Sequence, residues 1–222
     1  NDLSSKIDKL EGIIKSLDTN DTIPNFLQQM ANQDKYIDRN RNKELLASNI
    51  SLFKSILSRT GKIYSVLEFG CNIGMNLKSI KSLLPEVKLV GIEINKKAVD
   101  ELRSSGIAKV IHGSVLDVEI DRSFDLTLVK TVLIHINPEK LDKVYSRLYE
   151  FSDKYICIAE YYNPLPVEIN YRGHNDKLFK RDFAGELMKK YPDLELVDYG
   201  FIYHNDPIFP QDDINWFLLK KK

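Results

Sequence analysis

VLEFGCNIGMN, residues 66–76, runs from an apolar stretch into an acid at Glu68, then through Gly70 and Gly74 into helix-forming sequence at Met75. Glycine lets the backbone take positive φ and lets a ligand approach without meeting a Cβ. Asn72 stands between the two glycines, and asparagine tolerates the left-handed region better than most residues. In open parallel sheets a turn of this kind, beyond the carboxyl end of a strand, is where small ligands sit. The dinucleotide fingerprint G-x-G-x-x-G, counted from Gly70, needs glycines where Asn72 and Met75 stand. The spacing excludes a dehydrogenase of that type.

On either side of this loop the chain alternates. IYSVLEF (63–69), VKLVGIEI (87–94), AKVIHGS (108–114), FDLTLVKTV (124–132) and KYICIAEYY (154–162) are short runs rich in β-branched and apolar residues. Helical segments at 75–84, 96–105 and 138–152 separate most of them, which predicts a parallel sheet with helices on both faces. LELVDYGFIYH (194–204) and INWFLLKK (214–221) are joined by a Pro/Asp-rich loop without a helix, so they should pair antiparallel. The expected fold is α/β: a mostly parallel seven-stranded sheet, a C-terminal antiparallel hairpin and N-terminal helices.

Upstream, Leu45, Leu46, Ile50, Phe53 and Leu57 fall on one side of a helix over 42–59. Leu3, Ile7, Leu10, Ile14 and Leu17 are spaced as an a/d seam. Residues 1–20 therefore read as an amphipathic helix, packed on its own domain or serving as a coiled-coil link to an upstream domain or a second copy. Residues 21–222 read as the main domain, with a helical cap over 21–60.

The 222 residues, 43% hydrophobic, suffice for one well-buried domain. Lysine plus arginine equals aspartate plus glutamate at 32 each, so no nucleic-acid or membrane-surface partner is expected. No apolar run approaches the roughly 18 to 20 residues of a membrane span. The two cysteines, Cys71 and Cys157, fall in predicted core strands or their ends and read as reduced thiols in a cytoplasmic protein. With four scattered histidines and no C-x-x-C pair, no metal is expected.

The motif Glu68-x-Gly70-x-Asn72-x-Gly74 resembles the first motif of class I S-adenosylmethionine-dependent methyltransferases, E/D-x-G-x-G-x-G, with Asn72 in place of the middle glycine. The resemblance implies a Rossmann-like fold and S-adenosyl-L-methionine held by this loop. Glu93, ending the second strand, is placed to accept hydrogen bonds from both ribose hydroxyls. The third strand runs into HGSVLD, where this fold holds adenine. Ser114 stands where an aspartate is common, so adenine would lean on the Val115 backbone and apolar packing. The same resemblance implies cofactor contacts from Asn76, Ile94, Leu116 and Lys130. Tyr36 and Arg39 precede the first long helix, where such folds cover the cofactor. The arginine there would pair with the methionine carboxylate, or else the DRNR run is a solvated surface.

The C-terminal half, from EYYNPLPVEINYRGHNDKLFKRDFAGELMKKYPDLELVDYGF onward, resembles the methyltransferases associated with pseudaminic acid biosynthesis, as does YIDRNRNKELLASNISLFKSIL. This implies methylation of an amino sugar, nonulosonic acid or nucleotide-sugar intermediate of surface glycans. Tyr161, Tyr162, Asn163, Tyr171, Arg172 and Tyr203 suit a sugar-sized polar acceptor, since aromatic faces stack on sugar C–H surfaces and polar groups bind hydroxyls. An alcohol acceptor needs a base, and histidine suits neutral pH. His135 is the first candidate because its segment borders the transferred methyl, with His174 and His204 behind it and His112 read as structural. An amine acceptor would need no dedicated base. Two alternatives stay open: a methyltransferase for another small metabolite, and a non-catalytic cofactor-binding module that uses the heptad helix in assembly.

Overall fold

The computed structural model describes residues 43–168 and 179–222. The heptad helix, Tyr36, Arg39, Tyr171, Arg172 and His174 lie outside these. The chain divides into two units, Asn1–Asn40 and Arg41–Lys222, and the second holds every described residue.

Its elements run α1 (Lys43–Leu57), β1 (Ser65–Phe69), α2 (Met75–Leu83), β2 (Lys88–Glu93), α3 (Lys96–Ser105), β3 (Lys109–His112) and β4 (Phe124–Lys130). A single 3-10 turn (Leu133–His135) follows, then α4 (Pro138–Glu150), β5 (Ser152–Glu160), β6 (Val167–Glu168), β7 (Phe179–Lys180), α5 (Phe183–Lys190), β8 (Leu194–Ile202) and β9 (Ile214–Lys221). The sheet order is β3-β2-β1-β4-β5-β9-β8. β1 to β5 are parallel, and β9 runs antiparallel to both β5 and β8. The seven runs read from the sequence are these seven strands.

Alternation along the strands divides the core in two. Leu67 and Phe69 of β1 and Ile156 and Ile158 of β5 pack with Leu141, Val144 and Leu148 of α4 and Phe183 and Leu187 of α5. On the opposite face, Val66, Cys157 and Ala159 pack with Leu52, Phe53 and Ile56 of α1, Leu77 of α2, and Val99 and Leu102 of α3. Strands buried on both faces read as nearly continuous apolar runs, which is why β1, β4 and β5 stood out. Helix ends follow local chemistry. Asn95 accepts from the Lys97 and Ala98 amides, Asn137 from Glu139 ahead of Pro138, and Asp182 from Gly185. α2 differs: it starts at Gly74 with no side-chain cap.

Three features depart from the sequence reading. The deep face of α1 is Ser48, Asn49, Leu52, Phe53 and Ile56, while Leu45, Leu46, Ile50 and Leu57 are only half-buried. Two small polar residues lie on the buried line, so apolar spacing alone set the helix phase wrong. The connection after β5 is not all loop, since Val167–Glu168 and Phe179–Lys180 pair antiparallel. α5 was also missed. Its eight residues are too few for the periodic pattern to stand out beside the polar DKLFKRD that precedes it. Cys71 and Cys157 are buried free thiols, and burial pushes Cys157 up to about 12. Among the described residues no helix is long and apolar enough to cross a membrane.

Candidate active site

The chain builds β1, β2 and β3 outward on one side and then returns to place β4 on the other side of β1. The strand order reverses there, and the carboxyl ends of β1 and β4 flank the opening where ligands bind in such sheets. The β1–α2 loop crosses it in a left-handed conformation at three positions: Gly70 (φ 69), Asn72 (φ 48) and Gly74 (φ 78). Two of these positions also demand glycine on space. A Cβ on Gly70 would meet Val132 Cγ2 at 2.6 Å, and one on Gly74 would meet Leu102 Cδ1 at 2.5 Å. Gly70 thus lets the first loop lie against the turn after β4.

Glu93, 8% exposed at the end of β2, ties this loop to the next. Its Oε2 accepts from the Asn72 amide at 2.8 Å and its Oε1 from the Asn95 amide at 2.7 Å. The Cys71 and Gly74 amides are likewise engaged, by the Ile92 and Cys71 carbonyls. These three loop amides therefore shape the loop. Glu93 retains lone pairs, since a carboxylate has about four acceptor sites. Beside it Ile94 is 65% exposed, an apolar surface at the same strand end. Ser114 accepts from the Leu116 amide at 3.1 Å and turns the chain after β3, with Val115 buried and Leu116 half-buried. The His112 ring bonds the Ile94 carbonyl at 3.1 Å, which braces β2 against β3.

Glu68 lies beneath the loop, 1% exposed. Its Oε1 accepts from Asn76 Nδ2 at 2.6 Å, while Oε2 is buried without a hydrogen-bond partner. Burial raises its pKa to about 8 against the opposing pull of Asn76 and Lys130, so at neutral pH it is mainly the neutral acid. Both polar atoms of the Asn72 side chain are also buried and unpartnered. Buried polar groups are nearly always satisfied, so this cluster of exceptions calls for a ligand.

At the other side of the opening Lys130 ends β4, its ammonium depressed by burial but held in the field of Glu68, Asp212 and Glu160. Carboxyl groups from three other elements, β1, β5 and the β8–β9 loop, thus act on this β4 cation. Thr131 follows with φ 55, a strained conformation for a β-branched residue and one found at functional turns. Glu160, ending β5, is 2% exposed. Its Oε1 accepts from the Val132 amide at 2.7 Å and the Leu133 amide at 2.8 Å. Oε2 is buried and unpartnered.

The histidine candidates separate. His135 is exposed on the 3-10 turn after β4, on the carboxyl-end side of the sheet. His204, in the β8–β9 loop, has Nδ1 2.8 Å from Asp213 Oδ2 and Nε2 2.9 Å from Asn205 Nδ2. Tyr161 and Tyr162 follow β5, with Tyr162 5.8 Å from the Phe217 ring, and the Asn163 side chain bonds the Leu165 carbonyl. Tyr203 lies 6.2 Å from Phe201 on the hairpin. In the sequence Glu160 and Asp212 already stand among the polar residues, after the fifth strand and in the hairpin loop, that suit a sugar-sized acceptor; what the fold adds is that both act electrostatically on Lys130.

Residues 66–153 match a family model described as a methyltransferase domain. Curated proteins give no sequence match. Among solved structures the chain is similar to the glycopeptide N-methyltransferase MtfA complexed with S-adenosyl-L-methionine, at 11% identity and TM-score 0.60, covering 78% of this chain and 87% of that one. DesVI of Streptomyces venezuelae aligns at 12% identity and TM-score 0.61 over 87% of this chain and 98% of its own. An O-methyltransferase from a trans-AT PKS multienzyme of Brevibacillus brevis, in complex with S-adenosyl-L-homocysteine, aligns at 15% identity and TM-score 0.61 over 86% and 78%. The chain has the Rossmann-like fold of these methyltransferases, with a methyltransferase domain matched over residues 66–153.

Proposed function

We propose that the chain is an S-adenosylmethionine-dependent methyltransferase acting on a small polar acceptor, a sugar or nucleotide-sugar of the nonulosonic acid type used in surface glycans. One observation carries the cofactor reading. A left-handed glycine loop at the strand-order reversal covers a buried carboxyl oxygen of Glu68 with no partner, and Glu93 ends the adjoining strand. The residues fit the group. Gly70 and Gly74 let the loop take its left-handed turns, Glu68 offers an acceptor to the cationic amino acid end, and Glu93 offers remaining lone pairs to the ribose hydroxyls. Ile94 supplies apolar surface near the expected adenine. The bound cofactor supplies an electrophilic methyl group; the chain's own residues must hold the acceptor atom in line with it.

The sugar reading rests on the resemblance and on the acceptor side of the edge. Tyr162, Phe201 and Tyr203 are exposed aromatics suited to stacking on sugar C–H faces. The test has two stages. Calorimetry with S-adenosylmethionine should give a single site per chain. Incubation with methyl-labelled cofactor and a panel of nucleotide sugars, nonulosonic acids and simple amines should label a sugar. Label on amines alone would overturn the sugar reading, and absence of cofactor binding would overturn the whole.

A further inference from the structure

Glu160 is the buried acid that the cofactor reading leaves unused. Its two oxygens do different work. Oε1 fixes the turn after β4 by accepting the Val132 and Leu133 amides. Oε2 is buried and has no hydrogen-bond partner, although a buried acceptor left unsatisfied is costly. The Ile134 amide also favours the carboxylate, but no donor is close and aligned enough to hydrogen-bond Oε2. The acid sits where the end of β5 meets the segment leading into α5. Glu160, Tyr162, Arg181 and Phe217 line a closed crevice, too tight for a water molecule in the ligand-free chain, between the end of β5 and the start of α5, with Arg181 held by its 2.7 Å contact to Glu186. Lys130, at the end of neighbouring β4, lies in the field of both Glu160 and Glu68.

We propose that Glu160 Oε2 binds the protic group of the methyl acceptor, a hydroxyl or an ammonium, and takes its proton. The inference rests on the methyltransferase reading and adds the acceptor's chemistry: the reacting atom arrives carrying a hydrogen. A hydroxyl passes its proton to Oε2 as an oxygen lone pair forms the new bond to carbon, whereas an ammonium passes one proton to Oε2 first, which frees the nitrogen lone pair that then attacks. In both cases the electron pair of the carbon–sulfur bond leaves with the thioether, and the proton on Oε2 goes on to solvent. Burial raises the Glu160 pKa to about 7 against the pull of the turn amides and Lys130, which suits a base working at neutral pH. Cofactor arriving as a cation beside Lys130 further favours the carboxylate.

Glu160→Gln separates the base from the cap, because its carbonyl oxygen still accepts the two turn amides while basicity is lost. Calorimetry with S-adenosylmethionine should give a dissociation constant within about threefold of the parent, and the melting temperature should shift by less than about 4 °C. On whichever panel member the parent methylates, turnover should fall roughly 10²-fold or more. The rise of kcat/KM with pH through about 7 should vanish with it. In parallel, carbon-13 carboxyl spectra of the glutamate-labelled protein should show a group titrating near pH 7 that is absent from Glu160→Gln and present in Glu68→Gln. Turnover of Glu160→Gln within threefold of the parent, or a Glu160 signal flat from pH 5 to 9, would overturn the proposal with cofactor binding intact. Absence of cofactor binding in the parent would instead strike the underlying reading, and the carboxyl titration decides Glu160 in either case.

Discussion

Replacing Glu68 with glutamine tests whether the buried acid beneath the glycine loop meets the cofactor's cationic end. In the cofactor-free protein its carboxyl has a pKa of about 8, raised by burial. At pH 7 such a group is about 90% protonated. A cation beside Oε2 favours the carboxylate, so binding at pH 7 should expel about 0.9 proton per site. The sign follows. Affinity for S-adenosylmethionine should tighten as pH rises from 6 to 7.5, approaching tenfold per pH unit, because the proton competes with the cofactor for Glu68. Calorimetry in buffers of high and low ionisation enthalpy reads the proton count directly. Glu160 is coupled through Lys130 and contributes to the total, so the diagnostic quantity is the difference between parent and Glu68→Gln. Glutamine cannot release a proton, and its binding should lose most of the linkage. Equal proton release in the two proteins, or none in the parent, would refute the placement of Glu68 at the cationic end.

Three further outcomes follow from the geometry. Glu93→Ala should weaken S-adenosylmethionine binding by about 1.5 to 3 kcal/mol, roughly 10- to 150-fold in dissociation constant by calorimetry, the worth of hydrogen bonds to a charged group. It should also lower stability in urea, because the Asn72 and Asn95 amides lose their common acceptor. Asp125→Ala should destabilise the fold by about 2 to 4 kcal/mol in the same assay, since Asp125 accepts the Tyr64 and Ser65 amides and pairs with Lys154. Burial opposes ionisation of Asp125, but Lys154 and the two amides prevail and hold its pKa below the ordinary value. The Asp125 contribution is therefore complete above about pH 4 and fades as pH falls through its lower native pKa. His135→Ala should retain turnover within about threefold if Glu160 is the base, whereas a base in that position would cost roughly 10²-fold.

The parallel sheet was legible because β1, β4 and β5 are buried on both faces and cannot avoid continuous apolar runs. The hairpin was legible because no helix-length segment separates β8 from β9. The phase of α1 was not, since Ser48 and Asn49 lie on its buried line and apolar spacing points elsewhere. In the site, Gly70, Asn72 and Gly74 were readable from positive-φ chemistry alone, and all three take that conformation. What the sequence could not supply was the use of the loop amides. That Asn72 N–H faces Glu93 rather than open space depends on the register of β1 against β2. Glu160 and Asp212 were legible as polar residues of the acceptor-side segments, but not their shared influence on Lys130, which arises only once β5 and the β8–β9 loop are brought to the same edge.

Crystallographic difference density for S-adenosylhomocysteine bound to this chain probes the cofactor assignment most directly. The nucleoside should lie at the carboxyl ends of β1 and β2, with both ribose hydroxyls at about 2.6 to 3.0 Å from the Glu93 carboxylate and the amino acid end over Glu68. Adenosine seated elsewhere, or a Glu93 carboxylate engaged by the Asn72 and Asn95 amides alone, would contradict it.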